Sequence, residues 1–314
     1  MNPFFNPPLV NLQRRRLLQT LAAASVSAMS TRSSAEMAPD MLKRAIPASG
    51  EMLPVVGLGT YQSFDVGTDA AERDPLKEVL RQFIAQGGKV IDSSPMYGPS
   101  ESVVGDLATE IGITGQLFMA TKVWTSGREA GIRQMEASLS RMKVERMDLM
   151  QIHNLLDWKT HLATLKQWKA AGRIRYIGIT HYHSGAYAEL ERLIKTTDFE
   201  FAQFNYSIAE REAEERILPL ARDSGVAVIV NRPFAQASLF SRVRGKELPA
   251  WAAEFDCKSW GQFFLKYIIS HPAVTCVIPA TGKPEHLLDN MGAGMGKLPD
   301  ESTRRKMAAF MDSL

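Results

Sequence analysis

The feature that most constrains this chain is a beat of short, β-branched apolar runs separated by longer stretches of helical period. Pro54–Gly59, Lys89–Ile91, Leu117–Ala120, Asp148–Ile152, Arg175–Ile179, Phe199–Gln203, Val226–Val230 and Val274–Ile278 read as eight strands. Between the first two, Leu76, Val79, Leu80, Phe83 and Ile84 share one helical face behind an Asp74-Pro75 start. Tyr187, Leu190, Leu193 and Ile194 do the same behind Ser184. Strands and helices alternating at mostly about 26 to 35 residues predict parallel βαβ units, and eight of them predict an α/β fold of one domain, a closed (β/α)8 TIM barrel. A doubly wound open sheet is the competing arrangement. The apolar fraction of 45% suffices for one large core. Ahead of the first strand, Ile46 to Met52 reads as a turn between two short strands, a hairpin at the barrel floor.

The first 35 residues are of another kind. They carry Arg14, Arg15, Arg16 and Arg32 with no Lys, Asp or Glu, and Leu17 to Ala28 is too short to span a bilayer core of about 30 Å. A charged start, a short apolar run and small residues at Ser33-Ser34-Ala35 predict a secretory signal over 1–35, followed by the barrel over 36–314. Arg14-Arg15 followed by Leu17-Leu18 resembles a bacterial twin-arginine signal, although Gln13 and Gln19 replace flanking residues common in that pattern. The expectation is delivery by the twin-arginine export machinery to the periplasm with no stable membrane anchor; an organellar or cytoplasmic location is the alternative. The net charge of +3 belongs to this leader, because the remainder carries about −1 without its four arginines. No basic field for nucleic acid survives.

Chemistry is expected where barrel strands end. Asp92 follows Lys89–Ile91, Tyr97 stands five residues on, Lys122 follows Phe118–Thr121, and His153 follows Leu149–Ile152. Each alone has an ordinary structural explanation, but from three neighbouring strands they converge on one pocket. A site in which negative charge develops on a substrate oxygen needs a proton donor within reach, and Tyr97 is the acid of this set. A phenol ordinarily titrates near pH 10, and a neighbouring ammonium favours its ionised form. At about 4 Å and an effective dielectric of about 20 the attraction to Lys122 is roughly 4 kcal/mol. Asp92 keeps Lys122 charged, and His153 stands at the opposite rim.

The blocks "VIDSSPMYGPSE", "ATKVW" and "DLMQIHN" resemble the signatures of the aldo-keto reductases, and the likeness runs from about residue 44 to 295. It implies that Asp92, Tyr97, Lys122 and His153 form a catalytic tetrad reducing aldehydes or ketones, small-molecule carbonyl substrates, reversibly. It also implies an extended nicotinamide dinucleotide, NADPH in preference to NADH, held by the later loops. There is no Rossmann fingerprint, since Gly57-Leu58-Gly59 runs on into Thr60-Tyr61-Gln62.

By that resemblance Gln203 contacts the carboxamide, with Thr180-His181 standing where a Ser-Asn pair is usual. The loop of Asn231, Arg232, Pro233, Phe234 and Gln236 lines the cofactor, with Arg232 stacking in place of an aromatic. Gly59 and Thr60 border it at the first strand. Thr281, Lys283 and His286 face the ribose phosphate, and Asp289-Asn290 face adenine. Tyr61, Trp124 and Asn154 form a roomy, polar substrate wall. His181-Tyr182-His183 lacks an adjacent third ligand, so no metal is expected. Cys257 and Cys276 are too few for a disulfide framework. The competing readings are a cofactor-sensing subunit without catalysis and a hydrolytic barrel; the latter needs a second carboxylate beside Asp92 that the sequence does not offer.

Overall fold

The computed structural model describes residue 1 and residues 40–314. The expected export signal and its cleavage region fall on residues outside those described. Residues 40–314 form one compact unit.

A two-stranded antiparallel hairpin, β1 (Lys43–Ala45) and β2 (Met52–Pro54), precedes eight parallel strands. These are β3 (Leu58–Gly59), β4 (Val90–Asp92), β5 (Phe118–Val123), β6 (Met147–His153), β7 (Ile174–Thr180), β8 (Phe201–Asn205), β9 (Ala227–Asn231) and β10 (Val274–Val277). They pair strictly in sequence order. Parallel bridges from Val56 to Val277 and from Gly59 to Ala280 join the first strand to the last, closing the barrel.

The helices between and after them are α1 (Ala70–Ala85), α2 (Ser100–Glu110), α3 (Arg128–Arg141), α4 (Trp158–Ala170), α5 (Tyr187–Thr196), α6 (Ile217–Asp223), α7 (Ser238–Arg242), α8 (Trp260–Ile269), α9 (Pro284–Gly292) and α10 (Glu301–Asp312). Two boundaries differ from the sequence expectation. The first strand keeps only Leu58-Gly59: Pro54 pairs within the hairpin, and Val56 meets the barrel through an isolated bridge to Val277. Helix α1 begins at Ala70, where the Asp69 carboxylate accepts the Ala71 N–H at 2.9 Å, so Pro75 sits inside it rather than at its start.

Side-chain alternation divides each barrel strand into an outward row, packed under the helices, and an inward row. The inward row begins apolar: Val90, Phe118, Ala120, Leu149, Tyr176, Phe201, Ala227 and Ile229 fill the lower barrel with Cys276 and Ile278. Ile46 and Leu53 of the hairpin complete that cluster, both fully buried. Burying each contributes on the order of 1.5–3 kcal/mol. The hairpin is tied down from outside as well. The Arg44 guanidinium donates to the carbonyls of Ile269, His271 and Val274, while Glu51 accepts from Lys89 and Arg175. The hairpin therefore seals the floor, leaving the opposite end of the barrel open for polar residues.

Candidate active site

Continuing each inward row by two residues replaces apolar side chains with polar ones. Val90 is followed by Asp92, Ala120 by Lys122, Leu149 by Gln151 and His153, Phe201 by Gln203, and Ile229 by Asn231. The parallel register sets Lys122 beside Gln151, His153 beside Thr180, and Thr180 beside Gln203. A slip of one residue would turn any of these groups out under the helices.

Lys122 Nζ lies 2.5 Å from Asp92 Oδ2 and 2.6 Å from the Ser93 carbonyl, with the lysine fully buried. Asp92 Oδ1 accepts from Gln151 Nε2 at 2.9 Å and from Gln203 Nε2 at 3.0 Å. Burial disfavours the ammonium, but Asp92 and Tyr97 together outweigh it and hold Lys122 above its ordinary value. Gly178 makes room for this crossing of the barrel, since a Cβ there would stand 3.0 Å from Gln151 Cγ.

Tyr97 reaches the same spot from the loop after β4. Gly98 follows it at φ +56°, a turn in which a side chain would strike the Asp65 carboxylate. The Lys122 Nζ lies 5.0 Å from the centre of the Tyr97 ring. The sequence led us to expect a phenol eased toward ionisation. Burial instead dominates, and with Asp92 adding to it the phenol is raised above its ordinary value despite Lys122. Tyr97 is thus firmly protonated, a proton donor in waiting.

His153 faces Tyr97 edge-on, ring centres 6.0 Å apart, and its Nδ1 is 3.0 Å from Ser94 Oγ. Burial, then the charge of Lys122 and then His181 lower its value to about 3, so the imidazole is neutral at ordinary pH. The site consequently combines a neutral acid, a buried ammonium and a neutral imidazole around one opening.

Tyr61 and Trp124 flank that opening, 5.0 Å from Tyr97 and 6.2 Å from His153 by ring centres, and both are exposed. Gln134 fixes Trp124 by accepting its N–H at 2.6 Å and donating to its carbonyl at 3.2 Å. Asn154 follows His153 with φ +53°, and its Oδ1 is sealed without a partner. Thr60, beyond Gly59, binds the Asp92 carbonyl and the Ser93 hydroxyl.

The residues expected around a cofactor divide into two groups. Gln203 spends its amide inside the protein: Nε2 on Asp92 and Gln151, Oε1 accepting from Thr180 at 3.1 Å and Asn231 at 3.4 Å. Its amide is thus oriented by neighbours inside the protein, and its carboxamide contact stays an expectation. Asn231 Oδ1 and Arg232 Nε, by contrast, are buried and unpartnered. The Arg232 guanidinium lies over Tyr182 and donates to its carbonyl at 2.8 Å. Tyr182 N–H occupies Nδ1 of His181, whose ring is lowered to about 4 by burial and then by His183.

Arg232, Gln236 and their neighbours Ala235 and Ala237 all have left-handed backbone, strain of the kind that gathers at ligand loops. Pro233 is buried, whereas Phe234 turns to Phe240 and Phe264, ring centres 4.9 and 6.4 Å away. Thr281 and Lys283 stand at the N-terminus of α9 with His286 exposed in its first turn. Both Asp289 oxygens are engaged by Ser259 and Gln262, beside buried Asn290. Two sealed, unsatisfied polar atoms on one strained loop fit a polar ligand lying along it.

Sequence reasoning missed Gln151, Ser94 and Gln134. Gln151 was legible from parity, being two residues before His153, and Ser94 likewise, two residues after Asp92; Gln134, on a helix, had no such signal.

Residues 55–308 match the Aldo/keto reductase family. The chain is 30% identical over 258 residues to a methylglyoxal reductase, YeaE, of Escherichia coli (strain K12), covering 80% of this chain and 89% of that protein. It is 26% identical to a glyoxal reductase of Bacillus subtilis (strain 168), covering 80% and 87% of the two chains. Its fold is similar to an aldo/keto reductase from Klebsiella pneumoniae solved with NADP and acetate, with a TM-score of 0.72, 24% identity, and 83% and 93% of the chains covered.

Proposed function

The chain belongs to the aldo/keto reductase family, and from that premise we propose that it is an NADPH-dependent reductase of small aldehyde or ketone carbonyls, working reversibly. One observation carries the reading: the buried Lys122 ammonium lies between Asp92 and Tyr97, opposite a neutral His153, at a single opening. NADPH, when bound, supplies the hydride. Asn231 Oδ1 and Arg232 Nε, with Thr281, Lys283 and His286 at the start of α9, are the residues that would hold it.

The chain's own groups supply the rest. His153 takes the carbonyl oxygen as hydrogen-bond acceptor and aims it at Tyr97. Tyr97 holds a proton for that oxygen as negative charge develops there, and the Lys122 ammonium stabilises the phenolate left behind. Asp92 balances Lys122 so that the charge persists in a buried place. Tyr61 and Trp124 bound the substrate, and their exposure suits small, polar carbonyls. The named activities of the two relatives support dicarbonyls such as methylglyoxal and glyoxal as first candidates.

The leader adds a location. Arg14-Arg15 with the apolar run behind them supports export through the twin-arginine route to the periplasm, the enzyme folding before it crosses. Purified protein offered NADPH with a panel of aldehydes and ketones tests the activity directly. Cofactor consumption that depends on the carbonyl is the expected result. Tight cofactor binding without turnover of any panel member would favour a cofactor-sensing role instead.

A further inference from the structure

Ser94 stands two residues beyond Asp92, fully buried, with its Oγ 3.0 Å from His153 Nδ1. The same oxygen accepts the Met96 N–H at 3.4 Å. Those are the only partners of the Ser94 hydroxyl among the described residues. A buried hydroxyl that already accepts a backbone N–H still has its own hydrogen to place, and Nδ1 is the acceptor in reach. In the reverse arrangement Nδ1–H donates to Oγ, and the hydroxyl hydrogen is left sealed without an acceptor, which folded interiors avoid. The other ring nitrogen, Nε2, has no partner among the described residues and is not among the sealed polar atoms.

We propose that Ser94 is a positioning residue that selects the Nε2–H tautomer of His153, so that the imidazole presents a hydrogen rather than a lone pair to the carbonyl oxygen. The proposal rests on the carbonyl-reductase reading above. Tyr97 edge-on at 6.0 Å and Trp124 at 6.2 Å flank the ring on the side of the opening; Ser94 settles where its hydrogen resides. A lone pair turned outward would meet the lone pairs of the substrate oxygen, repelling it most as charge develops in the transition state.

The test is the tautomer itself, read by two-bond proton–nitrogen correlation spectra on the full chain carrying 15N-labelled histidine, with His153→Asn assigning the signals. The wild type should show Nδ1 at the position of an unprotonated nitrogen and Nε2 at that of a protonated one. Ser94→Ala should move His153 toward a mixture of tautomers while the protein stays folded, its melting temperature falling by only about 2–4 °C for the loss of one buried hydrogen bond. It should also lower kcat/KM for the aldehyde about five- to tenfold, the loss of one hydrogen bond, while leaving NADPH affinity alone. Ser94→Thr, which keeps a hydroxyl, should keep the wild-type spectrum. A wild-type ring with its hydrogen on Nδ1, or an unaltered tautomer in Ser94→Ala, overturns the proposal. The spectra need no turnover, so a protein that reduces no carbonyl defeats the functional reading separately.

Discussion

Lys122 and Asp92 approach to 2.5 Å across adjacent strands, with side chains 0% and 3% exposed. Two charges sealed this completely depend on one another. Removing one leaves the other buried without its counterion, at a cost on the order of 3–5 kcal/mol.

The two halves of the pair should not be equally costly to remove. Lys122→Met leaves Asp92 with donors from Gln151 and Gln203, whereas Asp92→Asn leaves the ammonium with only neutral acceptors such as the Ser93 carbonyl. Chemical unfolding should therefore show Asp92→Asn as the less stable variant, and Lys122→Met near the lower end, about 3 kcal/mol. Both should lose nearly all reductase turnover. The folded value of Lys122 is raised above its ordinary 10.5, so its stabilisation is full below about pH 10.5 and fades as pH climbs through the folded value. Wild-type stability should drop steeply on that alkaline side, and less so in Lys122→Met.

Tyr97→Phe should abolish turnover while NADPH affinity stays within a few-fold of wild type, because the phenol acts on the substrate oxygen. Single-turnover kinetics with cofactor-binding titrations separate the two effects. Near-normal turnover would remove Tyr97 from the chemistry.

Histidine ordinarily puts a break near pH 6.5 into a rate profile, and His153 should not. Its value of about 3 leaves the ring neutral through the whole working range. The profile of kcat/KM should be flat from about pH 5 to pH 8. The sign for stability follows: a folded value below the unfolded one favours the folded state above about pH 6.5. That favour is lost as pH falls toward 3. A break near pH 6.5 that disappears in His153→Asn would show the ring titrating where it should not.

Much of the barrel and site was legible because one rule governs both. The inward parity that runs Val90, Phe118 and Leu149 through the core runs on to Asp92, Lys122 and His153 at the mouth, so locating the strands located the groups. What stayed hidden depends on environment rather than order. The upward shift of Tyr97 is set by burial, which no spacing reveals. Gln203 turns toward Asp92 because Asp92 Oδ1 is open to it, a fact of three dimensions. The first strand came out short because Pro54 pairs with Lys43 in the hairpin and Val56 reaches the barrel through a single bridge to Val277.

On the proposed reading, cofactor choice turns on the start of α9. Lys283 precedes its first helical residue and His286 is exposed in its first turn, an arrangement suited to an anionic group. Lys283→Ala should weaken NADPH binding more than NADH binding, by about three- to tenfold for loss of one exposed charge contact. Equal loss for both cofactors in fluorescence titrations would place Lys283 away from the 2′-phosphate.

The proposed export signal carries a prediction about location, and the barrel gives that prediction a physical reason. A route that moves folded proteins can carry a chain with its cofactor already bound, and binding to the folded state alone stabilises it further as cofactor concentration rises above Kd. An enzyme that needs a dinucleotide found in the cytoplasm gains by folding there first. Replacing Arg14 and Arg15 with Lys should strand a precursor in the cytoplasm, while wild-type cells yield a shorter periplasmic chain beginning near Glu36. The trapped precursor should still reduce carbonyls, because everything assigned to the chemistry lies between Gly59 and Asn290. Fractionation with N-terminal sequencing reads the location, and assay of each fraction reads the activity. Full-length, active protein confined to the cytoplasm of unmodified cells would end the export reading and leave the reductase reading intact.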